Sequence, residues 1–107
     1  MAVEVHVVTP DREVWAGAAS MVIARGVDGM VGILADHIPL LIRLATAPLR
    51  ILLEEGGPEV VVDVDGGFLH VSSGGEGTRV DVMATTATVA GTGVAGAVSA
   101  GSAAPSD

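Results

Sequence analysis

The sequence predicts an all-β domain, a small antiparallel β-sandwich with a flexible Gly/Ala-rich C-terminal tail. Three observations carry that expectation. Apolar and polar residues alternate with period two in several short runs, as they do in strands with one face buried. Turn-forming Gly, Pro and Asp residues separate eight or so such runs at close spacing, the pattern of a sandwich or barrel. The chain is 50% hydrophobic but only 2% aromatic, and β-branched aliphatic residues tile a pleated, half-buried surface well. At 107 residues there is room for one domain and one modest core.

Val3, Val5 and Val7 alternate with Glu4 and His6 in a first strand. Thr9-Pro10-Asp11-Arg12 is a turn, with Pro10 supplying its preset φ. Glu13 to Ala16 and Ala19 to Arg25 give the second and third strands, and Gly26-Val27-Asp28-Gly29 turns into the apolar stretch Met30 to Leu34. Ala35-Asp36-His37-Ile38-Pro39 breaks that stretch before Leu40 to Leu44. Leu49, Ile51 and Leu53 face one way, and Glu54 to Pro58 turns. Val60, Val62 and Val64 alternate with Val61 and Asp63 up to the Asp65-Gly66-Gly67 turn. Phe68 to Ser72 returns, Ser73 to Thr78 turns again, and Val80 and Val82 alternate with Arg79 and Asp81. A further strand is expected around Thr86 to Val89. The sandwich is thus expected over residues 1–88. Residues 89–107, almost all Ala, Gly, Thr, Ser and Val, read as a low-complexity tail without fixed structure. Trp15 and Phe68, the only aromatic residues, are expected to anchor the core.

Charge and composition remove several classes of function. The formal net charge is -8, and the five basic residues, Arg12, Arg25, Arg43, Arg50 and Arg79, are dispersed. No basic stripe exists to neutralise phosphates, which disfavours nucleic acid and anionic lipid as partners. The absence of cysteine excludes disulfides and thiolate chemistry. Met1 to Pro10 lacks a basic region followed by an apolar block, so no secretory signal is expected. No run of about 20 strongly apolar residues is present, so no membrane span is expected either.

Catalytic and ligand-binding patterns are weak throughout. Gly91-Thr92-Gly93-Val94-Ala95-Gly96 matches the dinucleotide fingerprint in form, but the βαβ unit that gives it meaning has no room to follow. Asp63 and Asp65 share a strand face, whereas calcium needs six or more oxygens from a shaped loop. Asp36 could orient His37 as a general base with Ser72 or Ser73 as nucleophile, yet neither serine has a nucleophile-elbow context. His6, His37 and His70 have no metal-ligand spacing. The domain is expected to fold without cofactor, metal or nucleotide, and no catalytic residue is assigned.

Four blocks, in order and at the expected spacings, give the chain a family resemblance over roughly its first four fifths. They are Val8-Thr9-Pro10-Asp11-Arg12 with Val14-Trp15-Ala16-Gly17; Gly29 through Leu41, holding Gly29-Met30-Val31-Gly32 and Asp36-His37-Ile38-Pro39-Leu40; Gly66-Gly67-Phe68-Leu69-His70-Val71; and Arg79-Val80-Asp81-Val82-Met83-Ala84. Together they resemble the N-terminal β-sandwich domain of F-type ATP synthase epsilon subunits. Three departures stand out. Ala35-Asp36 replaces the family's usual Pro-Gly, Thr85 and Thr86 stand where acidic residues usually follow the last strand, and the C-terminal helical hairpin, with its nucleotide-binding motif, has no counterpart.

The resemblance implies a non-catalytic rotor subunit linking a membrane-embedded c-ring to a gamma subunit, so that proton flow drives ATP synthesis. It places Met30, Asp36 and His37 at the c-ring contact, with Met30 replacing a residue that is commonly acidic. It also implies peripheral attachment to the cytoplasmic side of a bacterial plasma membrane, without auto-inhibition by a hairpin. The lack of Lys, Asn, Gln and Tyr fits a GC-rich bacterial genome. Two other readings stand beside it: a free-standing sandwich binding a small ligand or carbohydrate, which would need aromatic platforms or convergent polar groups in a cleft, and a truncated copy that never assembles.

Overall fold

The computed structural model describes residues 2–54, 57–74 and 77–94, the last three by backbone alone. Those residues form ten strands: β1 (Val3–Val8), β2 (Glu13–Ala19), β3 (Met21–Gly26), β4 (Gly29–Leu34), β5 (Leu40–Arg43), β6 (Ala47–Leu52), β7 (Pro58–Asp65), β8 (Phe68–Gly74), β9 (Gly77–Met83) and β10 (Thr86–Val94). They build the expected sandwich from two five-stranded sheets, ordered β2-β1-β9-β8-β5 and β10-β7-β6-β3-β4. Strand pairs are antiparallel except β1 and β9, which run parallel from Val3↔Thr78 to Val8↔Met83. The chain crosses between sheets at Ser20, whose N–H and hydroxyl both donate to Leu52 O, at 2.7 and 3.0 Å.

The core is aliphatic, as the composition implies. Val3, Val5 and Val7 meet Leu69, Val71, Val80 and Val82 from one sheet, and Val22, Ile33, Leu49, Ile51, Val60 and Val62 from the other, all essentially without solvent contact. Each set follows the period-two alternation of its strand. The Gly66-Gly67 turn between β7 and β8 is held by conformation and by space. Both glycines have positive φ, 71° and 102°, and a Cβ on Gly67 would fall 2.1 Å from Met83 O.

Two expectations change. Phe68 is not a core anchor: 45% of its surface is exposed. Leu69 and Val71 take the inward positions of β8 and are fully buried, so parity sends Phe68 and His70 outward. Trp15 is half-buried against the core, its six-membered ring lying over Gly17. The second change concerns the expected tail boundary at residue 88, because β10 runs on to Val94. After a bulge between Val89 and Gly91 it pairs with β7 out to Val94↔Pro58. The ladder is a backbone interaction, so Gly and Ala can join it even where no bulky side chain is available. Gly91 to Val94 therefore lie in a strand, not in a phosphate-binding loop. Residues 95–107 lie outside the described residues.

Candidate functional site

The two outer faces of the sandwich differ in chemistry. On the β1–β9 sheet, the side chains alternating with the buried valines are Glu4 and His6 on β1 and Arg79 and Asp81 on β9, with Glu13 at the start of β2. Arg79 Nε donates to both Asp81 oxygens at 3.1 Å, and its Nη1 lies 3.8 Å from Glu4. The Arg79 pairs lie in water, where such pairs contribute little to stability.

The outer face of the other sheet is mostly apolar, although Arg25 on β3 and Asp63 and Asp65 on β7 also alternate outward and are exposed. Register places Met21 beside Leu34 and Leu52, Ile23 beside Gly32 and Arg50, and Arg50 beside Val61. Met21 reaches across Gly32, where a Cβ would fall 2.6 Å from Met21 Cε, so a side chain at Gly32 would displace the thioether. In the middle of this face stands one ion pair. Arg50 Nε and Nη2 donate to the Glu59 oxygens at 2.8 and 3.0 Å, and the Glu59 side chain has no exposed surface. The fork-to-fork geometry is the strong form of the contact and raises the Arg50 pKa further. A surface neutralised in this way can be covered by a partner without stranding an unpaired charge.

The apolar character continues onto the edge where β4 and β5 lie, the outermost strands of the two sheets. Met30, Leu34, Ile38 and Leu41 are all exposed there, Ile38 to 73%. The loop joining the two strands is well tied down. Asp36 stands where the resemblance puts glycine, and it takes φ 67°, a left-handed conformation glycine adopts without strain. Its N–H donates to the buried Thr78 hydroxyl at 2.7 Å. His37 N–H donates to Leu34 O at 3.2 Å, and His37 Nδ1 lies 2.7 Å from Ile38 O, which requires the proton on that nitrogen.

The three residues expected at the c-ring contact therefore fall in two places. Asp36 and His37 lie together on this loop. Met30 pairs with Arg25 beside the Gly26–Gly29 turn, at the far end of β4, roughly 13 Å of strand away from Leu34 at about 3.3 Å per residue. What lies between them on the outward side is Gly32 and Leu34, so any contact using all three residues runs the length of the strand. Leu34, Ile38 and Leu41 were missed as surface residues in the sequence. The signal available was Ile38, an aliphatic residue between His37 and Pro39 in a loop, where burial is not expected.

The catalytic and metal readings gain nothing from the geometry. The His37 ring is committed to Ile38 O and not to Ser72 or Ser73. Asp65 Oδ1 accepts from Thr46 Oγ1 at 2.6 Å. Among the described residues no three His, Asp or Glu side chains converge as metal ligands, and no helix is long and apolar enough to cross a membrane. Among the described residues, two shallow concavities bear on this question. One, of about 390 Å³, is walled by the Gly26–Gly29 turn and β5; the other, of about 420 Å³, lies between Val8–Pro10 and Phe68, Met83 and Thr85. Neither gathers the convergent polar groups that a sugar or small polar ligand needs.

The family model of the ATP synthase delta/epsilon chain β-sandwich domain matches residues 2–90. The chain belongs to that family. Among curated proteins it is 48% identical over 87 residues to the ATP synthase epsilon chain of Brevibacillus brevis, an alignment covering 81% of this chain and 62% of that one. It is 42% identical over 87 residues to the ATP synthase epsilon chain of Frankia casuarinae, covering 81% of this chain and 96% of that one. The chain thus spans under two thirds of the Brevibacillus relative and nearly all of the Frankia one. Among solved structures, a chain in the Euglena gracilis mitochondrial ATP synthase (OSCP/F1/c-ring) superposes with a TM-score of 0.72 at 24% identity, over 82% of this chain and 53% of that chain. A chain in the central stalk/c-ring structure of the Tetrahymena thermophila mitochondrial enzyme gives 0.63 at 18% identity, over 81% and 66%. At those identities the superpositions speak for the family's fold alone.

Proposed function

We propose that this chain is the epsilon-type subunit of the central stalk of a bacterial F-type ATP synthase, a non-catalytic coupling module. The edge holding Met30, Leu34, Asp36, His37 and Ile38 rests on the c-ring, and the apolar outer face of the β3–β4–β6–β7 sheet packs on the gamma subunit. It is held peripherally on the cytoplasmic side of the plasma membrane. Rotation driven by proton flow then passes through the sandwich to the catalytic head. The observation that carries this reading, beside the family match, is the asymmetry of the two outer faces. A free-standing domain has no use for an apolar patch of Met21, Ile23, Leu34, Leu52 and Val61 whose central ion pair is already neutralised and whose apolar character runs on to an exposed loop. Torque transmission needs a body that does not shear, and ten paired strands over a tightly packed aliphatic core meet that need.

Two experiments test it. Mixing the chain with a gamma subunit should give a co-eluting complex on size exclusion, and Ile23→Asp should abolish it while leaving the melt of the isolated chain close to wild type. Vesicles reconstituted with Met30→Asp or His37→Asp should make less ATP from a proton gradient, because an added carboxylate is desolvated unpaired at a partly apolar contact. Full synthesis by the double variant would remove this edge from the coupling path. Failure of Ile23→Asp to weaken the gamma complex would remove the face.

A further inference from the structure

His6, on the charged outer face and apart from the proposed contacts, has a geometry that a neutral imidazole cannot satisfy. Its Nε2 lies 2.6 Å from Glu4 Oε2 and its Nδ1 3.2 Å from Glu13 Oε2. An ionised carboxylate only accepts, and a neutral imidazole offers one N–H and one lone pair. Both contacts are made together only by the imidazolium. Glu4 is on the same strand as His6, but Glu13 opens β2 beyond the Thr9–Arg12 turn, so the charged ring ties the two ends of that turn together.

The surroundings favour the charge. On β9, Asp81 stands in register with His6, and Arg79 is turned onto Asp81 at 3.0 Å with Glu4 at 3.8 Å. On β2 the residue in register is Ala16. Three carboxylates and one guanidinium therefore face the ring. The hydrogen bonds that the ring donates to Glu4 and then to Glu13 raise the His6 pKa, against smaller opposing effects of burial and Arg79.

We propose that His6 is a proton-operated clip on the β1–β2 hairpin: protonated, it holds the start of β2 down through Glu13, and deprotonated it lets that end go. The shorter Glu4 contact keeps the remaining N–H, which leaves a lone pair on Nδ1 facing the Glu13 carboxylate. The turn itself stays closed by Thr9 N–H donating to Arg12 O at 2.9 Å, so release is confined to the start of β2. β2 is the outer strand of its sheet, and the β1–β2 ladder shifts register between Val7 and Val8, next to His6. The sign is fixed by linkage. A pKa raised in the fold gives stabilisation that is complete below the unfolded-state pKa and is lost as pH rises through the folded value. The Glu4 pKa is lowered, chiefly by its hydrogen bond with His6, so the clip also weakens when pH falls through that lowered value. It is closed between the two.

The test uses the intact chain. Imidazole resonances are followed by NMR across a pH series, with His6 identified by its loss in His6→Gln, and amide protection factors are measured over β2 in the same series. The expected result is a His6 midpoint above that of the same residue in urea-unfolded chain, lowered by Glu4→Gln and by Glu13→Gln. Protection at Val14 and Trp15 should fall as pH rises through the His6 midpoint, and Trp15 emission should change with it. In Glu13→Gln, an isosteric exposed substitution, that pH dependence should be gone. A His6 midpoint at or below the unfolded value overturns the proposal. So does protection at Val14 and Trp15 that ignores His6 titration, or that still follows it in Glu13→Gln.

Discussion

Leu69→Ala and Phe68→Ala should differ in the opposite sense to their side-chain sizes. Leu69 is fully buried between the sheets, while nearly half of Phe68 remains in water. Truncating Leu69 loses its transfer energy and leaves a cavity in a core of tightly packed valines, a cost of about 2–5 kcal/mol. For Phe68, full burial would be worth about 1.5–3 kcal/mol. Only a little over half of that is realised at 45% exposure, giving roughly 1–1.5 kcal/mol, with no enclosed void because the ring sits at the mouth of an open notch. Urea unfolding of each variant beside wild type, with a check that the m-value is unchanged, gives the two values directly. Phe68→Ala costing as much as Leu69→Ala would refute the inward parity of β8 and return Phe68 to the core. If Phe68 instead belongs to a contact, its truncation should show in complex formation with a gamma subunit before it shows in the melt.

The remaining predictions concern backbone and ion-pair sites. Gly67→Ala should destabilise by more than about 3 kcal/mol, since it adds positive-φ strain to a collision with the Met83 carbonyl; expression with loss of the cooperative melt would agree, and a near-wild-type melt would not. Asp36→Val should cost roughly 1–3 kcal/mol because a β-branched residue is a poor occupant of φ 67°, whereas Asp36→Gly should melt within about 1 kcal/mol of wild type. Arg50→Met should cost about 1.5–3 kcal/mol by removing two charge-assisted hydrogen bonds from the buried Glu59 carboxylate; an unchanged urea midpoint would show that the pair is not formed in solution.

Period two was the most legible feature of the sequence. Val3/Val5/Val7, Val60/Val62/Val64 and Val80/Val82 each announce a strand and its buried face, and all of them are in the core. Phe68 shows the limit of that reading. It opens its strand directly after two glycines, where no alternation has yet been established, and size alone suggested the interior. Leu69 and Val71 carried the parity, one residue later. The run Met30 to Leu34 was read as one apolar stretch because Gly32 interrupts the polar half of the pattern; both faces are apolar, Ile33 inward and Leu34 outward. For β10 the fault lay in judging order by side-chain bulk, when the open backbone edge of β7 was enough to recruit Gly91 to Val94. Nothing local could reveal that β1 pairs with β9, because strand neighbours distant in the chain leave no mark on periodicity. Asp36 and His37 were legible as a loop, but their distance from Met30 depends on β4 being straight and paired along its whole length.

The parallel pairing of β1 with β9 bears on how this protein is made. β1 lies inside its sheet, between β2 and β9, so one of its two edges stays open until a strand from near the other end of the chain arrives. At about 5–20 residues per second on the ribosome, that wait is roughly 4–15 s. During it Val3, Val5 and Val7 have only the β2 hairpin for company, and a two-stranded hairpin alone is marginal in water. The nascent chain is therefore a candidate for chaperone holding throughout that interval. Its yield should depend on the speed of translation more than its final stability would suggest.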